Sequence, residues 1–483
     1  MSVKKRLIQL ASESAIYGLS GVIASFIGIF LIPIYTRIFT PKDYGVISLL
    51  TVFASLVGMF AVLGLDNSSA RWFYDTDESK HRHTTISTWF WCQLGVSSVL
   101  ALGIVFLAPQ ISFWLTNSPQ YANLVRLVAV GIPVATSSTV LGSWLRYQRR
   151  ATMSVVFSLS RTLANIGLVI IFVVVLRRGL TGLFTANLII GIIFGILSVL
   201  FLKNWISPST FSRERLRAML HYALPLIPAA LGLWIMMGMD RIMLEHFANI
   251  SEVGLYSIAA SVASLIALIT AAFTQAWGPF AYSILKEPDS GQVYSKVLDL
   301  YSFIGSAVCT GLALYAPLIL RFFTTKAYYP AASTVGLLAF GTLLNGSRFI
   351  ASLGCGIVKR SIPSAISVAI GAGMNLILNL ILDPHFGRNG AAFATTLSWA
   401  ASVVYLFWAS QRYYPIPYHW LTALLPVALS VCLIFVDRWF IIGNDLASNL
   451  FRSGLMLAFV PLGMVLGLLR WRNYKGIVKI TNR

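Results

Sequence analysis

Long apolar stretches separated by short polar turns run almost the whole length of the chain. They fall at approximately 13–36, 44–65, 85–108, 121–145, 153–176, 181–203, 218–239, 253–284, 294–322, 331–357, 361–382, 390–411, 419–437 and 450–469. Each is long enough for a helix to cross a hydrocarbon core of about 30 Å. In hydrocarbon the backbone must satisfy its own hydrogen bonds, so runs of this length read as helices. The pattern predicts an all-α polytopic membrane protein with about 14 transmembrane helices.

The turns carry a second pattern. From Leu31 to Leu50 one apolar run ends, a turn holding Arg37, Thr40, Pro41, Lys42, Asp43, Tyr44 and Gly45 intervenes, and another run begins. The design returns over Met239 to Ala259, where Arg241-Ile242 answers Arg37-Ile38 and Gly254 answers Gly45. Gln148-Arg149-Arg150 before the fifth run answers Val358-Lys359-Arg360 before the eleventh, and Asn165 answers Asn375. Arg178-Gly179-Leu180-Thr181-Gly182 answers Phe386-Gly387-Arg388-Asn389-Gly390. Landmarks recurring at a near-constant separation predict a duplication. An even number of spans in the first copy gives both copies the same orientation, as in parallel repeats about an axis along the membrane normal. The expected organisation is an N-lobe over 1–203 (spans one to six), a cytoplasmic linker over 204–217, a C-lobe over 218–411 (spans seven to twelve), and spans thirteen and fourteen with a cytoplasmic tail over 412–483. That is two six-helix bundles related by a pseudo-two-fold, plus two extra C-terminal helices.

Composition agrees: 57% of residues are hydrophobic, 11% are charged and mean hydropathy is +0.78. No soluble domain buries that much apolar surface. The net charge of +20 does not point to nucleic acid, because the basic residues gather in no arm or patch. With the amino end placed in the cytoplasm, most of the 36 Lys and Arg fall in loops on that side, as the positive-inside rule requires. Both termini are therefore expected in the cytoplasm, in the cell's inner membrane, with the first run a retained span rather than a cleaved signal. The four cysteines (Cys92, Cys309, Cys355, Cys432) lie in apolar runs and read as small hydrophobes. The six histidines show no ligand spacing, and no metal site, phosphate loop or nucleophile triad is read; neither a cofactor nor a catalytic residue is expected. Loops of about twenty residues at most leave no room for a soluble catalytic domain, so the chain is read as not an enzyme.

Ionisable residues inside spans are costly and face protein or water-filled interiors. Arg161 and Arg348 sit within the fifth and tenth runs, Arg126 near one end of the fourth, and Arg71 just after the second. These four are the candidate substrate-binding residues, suited to a diphosphate held by guanidinium forks. Arg452 reads as a snorkelling anchor. Acids are scarce, 16 in all; Asp66, Asp240, Glu245, Asp299 and Asp383 are assigned to loops or span ends and Glu13 to the start of span one, so an acidic interior site is not expected. Pro225 and Pro228 interrupt the seventh span and are possible pivots. Asn375 and Asn379, one turn apart, read with Asn165 as interhelical hydrogen-bond partners.

Pro33, Tyr35-Thr36-Arg37, Thr40-Pro41 and Tyr44-Gly45 resemble the opening of the polysaccharide biosynthesis flippases. These export O-antigen and capsule repeat units and belong to the multidrug/oligosaccharidyl-lipid/polysaccharide (MOP) flippase superfamily, which includes the MATE-like exporters. Asp240-Arg241, Glu252-Val253-Gly254-Leu255-Tyr256 and Phe386-Gly387-Arg388-Asn389-Gly390-Ala391-Ala392 are similar to that family's second repeat. The resemblance covers residues 5 to 410 and implies a V-shaped pair of bundles around a basic lumen. It implies a polyprenyl diphosphate-linked oligosaccharide as substrate, flipped from the cytoplasmic to the outer leaflet by alternating access. Partners would be that substrate, membrane lipids, and a polymerase or other polysaccharide-assembly proteins. A cation-coupled multidrug exporter of the same superfamily, which would want an interior carboxylate, and a polyprenyl-dependent glycosyltransferase or polymerase are the alternatives.

Overall fold

The structure, a computed structural model, describes residues 31–440 and 446–465. Most of the run predicted over 13–36, the basic residues Lys4, Lys5 and Arg6, and the tail past 465 lie outside the described residues. The rest is helical almost throughout. In chain order come α1 (helical over 31–38), α2 (Pro41–Val62), α3 (Leu65–Tyr74), α4 (Ser79–Phe106), α5 (Ala108–Thr116), α6 (Ala122–Tyr147), α7 (Ala151–Val169) and α8 (Gly179–Leu202). Then follow α9 (Arg213–Ala223), α10 (Ile227–Trp234), α11 (Asp240–Phe247), α12 (Ile250–Ala263) and α13 (Leu265–Ser283). The last are α14 (Ser290–Phe323), α15 (Ala332–Ala351), α16 (Leu353–Ile357), α17 (Ile362–Tyr413), α18 (Trp420–Phe440) and α19 (Leu446–Val465).

Among the described residues 12 helices are long and apolar enough to cross a membrane. One of them, α17, is the two runs predicted at 361–382 and 390–411 joined across a sharp bend at Gly387, where φ is 52° and ψ −135°. Every run from the second onward therefore has its helix, and the protein is a multi-pass membrane protein.

The chain divides into two compact units, Met1–Gly254 and Leu255–Arg483. In the first, α6 packs between α4 and α8, and α9 lies on α3 and α4. The helices of the seventh run thus pack with the spans before them, and Asn117 on the loop after α5 donates to Glu245 of α11 at 3.1 Å. In the second unit, α15 packs against α14 and α17, and α14 also carries α18.

The turn that opens α2 is a reciprocal cap. Thr40 Oγ1 accepts from the Asp43 amide at 3.2 Å, and Asp43 Oδ2 accepts from the Thr40 amide at 3.0 Å. Pro41 follows at the first helical position, where its missing N–H costs nothing. One turn on, Gly45 meets Ile250: a Cβ on Gly45 would collide with the Ile250 carbonyl, and a Cβ on Gly254 with the Pro41 carbonyl. The two glycines that answer each other in sequence are the two that let these helix starts touch backbone to backbone.

The duplication is visible in backbone conformation. Arg149 (φ 54°) and Lys359 (φ 57°) both occupy the left-handed region, and so do Arg177 (φ 50°) and Gly387 (φ 52°), each pair 210 positions apart. After the first pair, the Arg150 amide donates to Leu145 and the Arg360 amide to Cys355, both at 2.9 Å, closing the same helix-ending turn.

Arg452 departs from its expected role. It is 4% exposed, and its Nε donates to Asp437 Oδ1 at 2.9 Å. Asp437 lies near the end of α18 and is itself buried, so a carboxylate partner draws the guanidinium inward instead of toward a headgroup. Arg452→Met would strand a buried carboxylate and is expected to destabilise the protein by about 3 kcal/mol. Pairing it with Asp437→Leu should recover most of that, as measured by thermal unfolding in detergent.

Candidate functional site

In the first unit the end of α6 and the start of α7 enclose a pocket of about 280 Å³. Ser138, Gly142 and Arg146 reach it from α6, four residues apart along one helical face. Ser154, Ser158 and Arg161 reach it from α7, at spacings of four and three. Two guanidinium groups and three hydroxyls thus line one cavity, and among the described residues its lining includes no carboxylate. Arg161 is half-buried and enters no ion pair among the described residues. Arg146 donates from Nη2 to Ser143 Oγ at 2.7 Å, which fixes its guanidinium against its own helix. Such a lining suits an anion with several oxygens, of which a phosphate or diphosphate is the plainest case.

The other sequence candidates stand apart from this pocket. Arg71 is exposed, with its guanidinium 5.1 Å from the Tyr222 ring and 5.8 Å from that of Trp72. Arg126 is exposed and donates to Asn123 Oδ1 at 2.8 Å on its own helix. Arg348, in the second unit, lies 5.5 Å from the Trp399 ring, and its buried Nε has no hydrogen-bond partner among the described residues. A half-buried guanidinium with a free donor, stacked on an indole, is a cation held ready for an acceptor.

Pro225 lies in a tight 3₁₀ turn over Leu224–Leu226, and Pro228 is in the first turn of α10. A wider π-type turn over Ile235–Met239 then separates α10 from α11. The seventh run is therefore broken twice, once at its prolines and once where no proline signals it.

The sequence reading misses Arg146, which it assigns to a loop, although its spacing from Ser138 and Gly142 is a helical signal. In the second unit Asp383, read from sequence as a loop or span-end acid, joins the two asparagines already paired there. Asn375, Asn379 and Asp383 lie one turn apart on the first half of α17 and are 0%, 0% and 1% exposed. Asn375 Nδ2 donates across the bend to Thr395 Oγ1 at 3.5 Å, and Asn379 Nδ2 to the Asn375 carbonyl at 2.7 Å. Asn375 is an interhelical partner as expected. The side-chain oxygens of Asn375 and Asn379 accept no hydrogen bond among the described residues. Asp383 is not a loop acid: α17 continues past it to the bend, which folds the second half of the helix over it. Asp240 (2% exposed) and Glu245 (5% exposed) are buried as well. The chain does hold interior carboxylates.

Residues 34–333 match the profile of a family described as polysaccharide biosynthesis protein. The chain is 23% identical to the succinoglycan biosynthesis transport protein ExoT of Rhizobium meliloti over 71% of this chain and 70% of that protein. It is 29% identical to the probable flippase AglR of Haloferax volcanii over 54% of this chain and 55% of that one. Among solved structures, the fold is similar to the lipid II flippase MurJ in an inward closed conformation. The TM-score is 0.74 and identity 15%, covering 95% of this chain and 99% of the other. A multidrug resistance MATE family transporter of the MOP superfamily, inward-facing, gives a TM-score of 0.67 at 16% identity over 79% of this chain and 93% of that one.

Proposed function

The chain belongs to the polysaccharide biosynthesis protein family, and from that premise we propose that it flips a polyprenyl diphosphate-linked oligosaccharide from the cytoplasmic to the outer leaflet of the inner membrane. The observation that carries this reading is the pocket of Arg146 and Arg161, which among the described residues is lined by no carboxylate. The diphosphate binds there through charge-assisted hydrogen bonds, while the polyprenyl tail remains in lipid and only the polar head leaves the bilayer surface. Arg348, stacked on Trp399, receives phosphate oxygens at its free Nε. Arg71 and Arg126 contribute charge along the path. Alternating access of the two lobes, 1–203 and 218–411, moves the site from one side to the other, with bending at Pro225 and Pro228. Both termini lie in the cytoplasm, and a polymerase receives the flipped unit. An anion leaving a negative-inside cell moves downhill by about 2.3 kcal/mol per charge per 100 mV.

The buried Asn375, Asn379 and Asp383 favour a second element, coupling to a cation. A carboxylate and two amide oxygens buried in a span form a hard-oxygen set suited to a proton or a small monovalent ion. One experiment addresses both elements. The purified chain is reconstituted into vesicles with a fluorescent polyprenyl diphosphate-linked oligosaccharide, and the fraction reaching the opposite leaflet is followed with and without sodium and proton gradients. Flipping above that of protein-free vesicles is expected, and a rate equal to theirs sinks the proposal. Acceleration by a gradient, lost in Asp383→Asn, is the expected sign of coupling; indifference to both gradients removes coupling and leaves flipping standing.

A further inference from the structure

The second unit holds a larger cavity, about 460 Å³, between α13, the α15–α16 corner and the start of α17. Its lining combines three kinds of group: the cations Lys359 and Arg360, the hydroxyls of Ser352, Ser361 and Ser364, and the rings of Trp277 and Tyr282. Among the described residues it includes no carboxylate. Local structure positions the two cations' backbones and one of their side chains. Arg360 stacks on Tyr413 at 4.8 Å. The Lys359 backbone is left-handed, and its N–H donates to the Gly356 carbonyl at 3.0 Å. Ser361 stands at the head of α17 without spending its hydroxyl on a cap. The Tyr282 hydroxyl sits where a Cβ on Gly356 would be, so this wall of the cavity exists because residue 356 is glycine.

The cavity has a counterpart. Ser352, Gly356 and Ser364 stand 210 positions after Gly142, Arg146 and Ser154, which line the pocket of the first unit. Each repeat therefore builds a hydroxyl-bearing cavity at the same place in its own fold, lined among the described residues by no acid. The cations differ: the first repeat supplies them from within its spans, the second from the turn before α17. Only the second adds an indole and a phenol beside them.

We propose that this cavity is a second anion site, binding the phosphate of a glycosylated lipid head with Lys359 and Arg360 and stacking the adjoining sugar on the exposed ring of Tyr282, behind which the buried Trp277 forms the floor. It rests on the proposed flippase reading and extends it by giving the second unit a phosphate-binding cavity distinct from Arg348, and it is measurable without transport. Guanidinium and ammonium groups supply the charge, serine hydroxyls the directed bonds, and the Tyr282 ring an apolar face to match the one a pyranose presents.

The test uses the full chain in detergent with its four cysteines replaced and Ser364→Cys as a reporter, labelled by a maleimide in the presence of inorganic diphosphate, a short-chain polyprenyl diphosphate sugar, or phosphatidylglycerol micelles. Diphosphate and the sugar-bearing lipid are expected to slow labelling, the latter at about tenfold lower concentration. Lys359→Gln with Arg360→Gln should abolish protection, whereas Arg161→Ala should leave it intact. Protection by phosphatidylglycerol alone assigns the phosphate to a membrane lipid and overturns the sugar component. Protection that survives the double replacement, or no protection by any of the three, overturns the site. Protection lost in Arg161→Ala overturns it too, while leaving the phosphate contacts of the flippase reading, the first-unit pocket and Arg348, as they were.

Discussion

Arg161→Ala is expected to cut flipping at least tenfold while the protein reaches the membrane in normal amount. Hydrogen bonds to charged groups contribute about 1.5–3 kcal/mol each, and 1.4 kcal/mol is a factor of ten in binding. Arg161 shares its pocket with Arg146, so the pair replaced together should lose more than either alone, and less than the product if both grip the same phosphate. Arg161→Lys keeps the charge but loses the planar fork, so an intermediate rate is expected. A structural role would look different. Among the described residues no carboxylate depends on Arg161, so its removal strands no buried charge. Unfolding temperature in detergent should therefore stay near that of the parent. The measurement is leaflet transfer in vesicles beside surface polysaccharide in cells; unchanged values for Arg161→Ala and Arg146→Ala together would remove the pocket from the mechanism.

The spans are legible because hydropathy at this length has one structural answer, and the repeat because its landmarks mark turns that must be built alike. Arg149 and Lys359 match in sequence, and both end a helix in the left-handed conformation. The Thr40–Asp43 cap is visible as a Thr-Pro-Lys-Asp turn. What stays hidden is depth. Arg146, Asp383 and Arg452 sit near the ends of apolar runs, where hydropathy cannot separate a solvated end from a buried one. Arg146 reaches a pocket because α6 runs on past the apolar run and Ser143, one turn earlier, holds its guanidinium. Asp383 is covered because Gly387 permits a bend, and the hairpin beyond it docks at the start of α15. There Asn389 Oδ1 accepts from Ser333 at 2.9 Å and Thr334 at 3.0 Å. Arg452 is drawn inward by Asp437, a partner fifteen residues earlier that no periodicity reveals. For Asp383 and Arg452 a tertiary contact overrides the local signal.

Gly254→Val is expected to prevent stable folding, and Gly254→Ala to lower the unfolding temperature clearly. A Cβ at 254 would overlap the Pro41 carbonyl and lie 3.0 Å from the Gly45 amide nitrogen. Both obstacles are backbone, so no rotamer change relieves them and the starts of α2 and α12 must move apart. Forced overpacking of this kind costs about 1–3 kcal/mol or more. Alanine in a helix interior would otherwise gain about 1 kcal/mol over glycine. The sign at each glycine therefore reports the space around it. At Gly58 and Gly95 an added Cβ would have nothing within 4 Å, so Gly58→Ala and Gly95→Ala should be neutral or stabilising in the same assay. Gly45→Ala meets the Ile250 carbonyl and should behave like Gly254→Ala. Because the two glycines sit on one contact, the double replacement should cost less than the sum of the singles: once the helices have parted for one methyl, the second finds room. Additive losses would mean two separate packing sites. A Gly254→Ala protein as stable as its parent would mean that these helix starts do not touch, and that the paired glycines of the two repeats serve some purpose other than close approach.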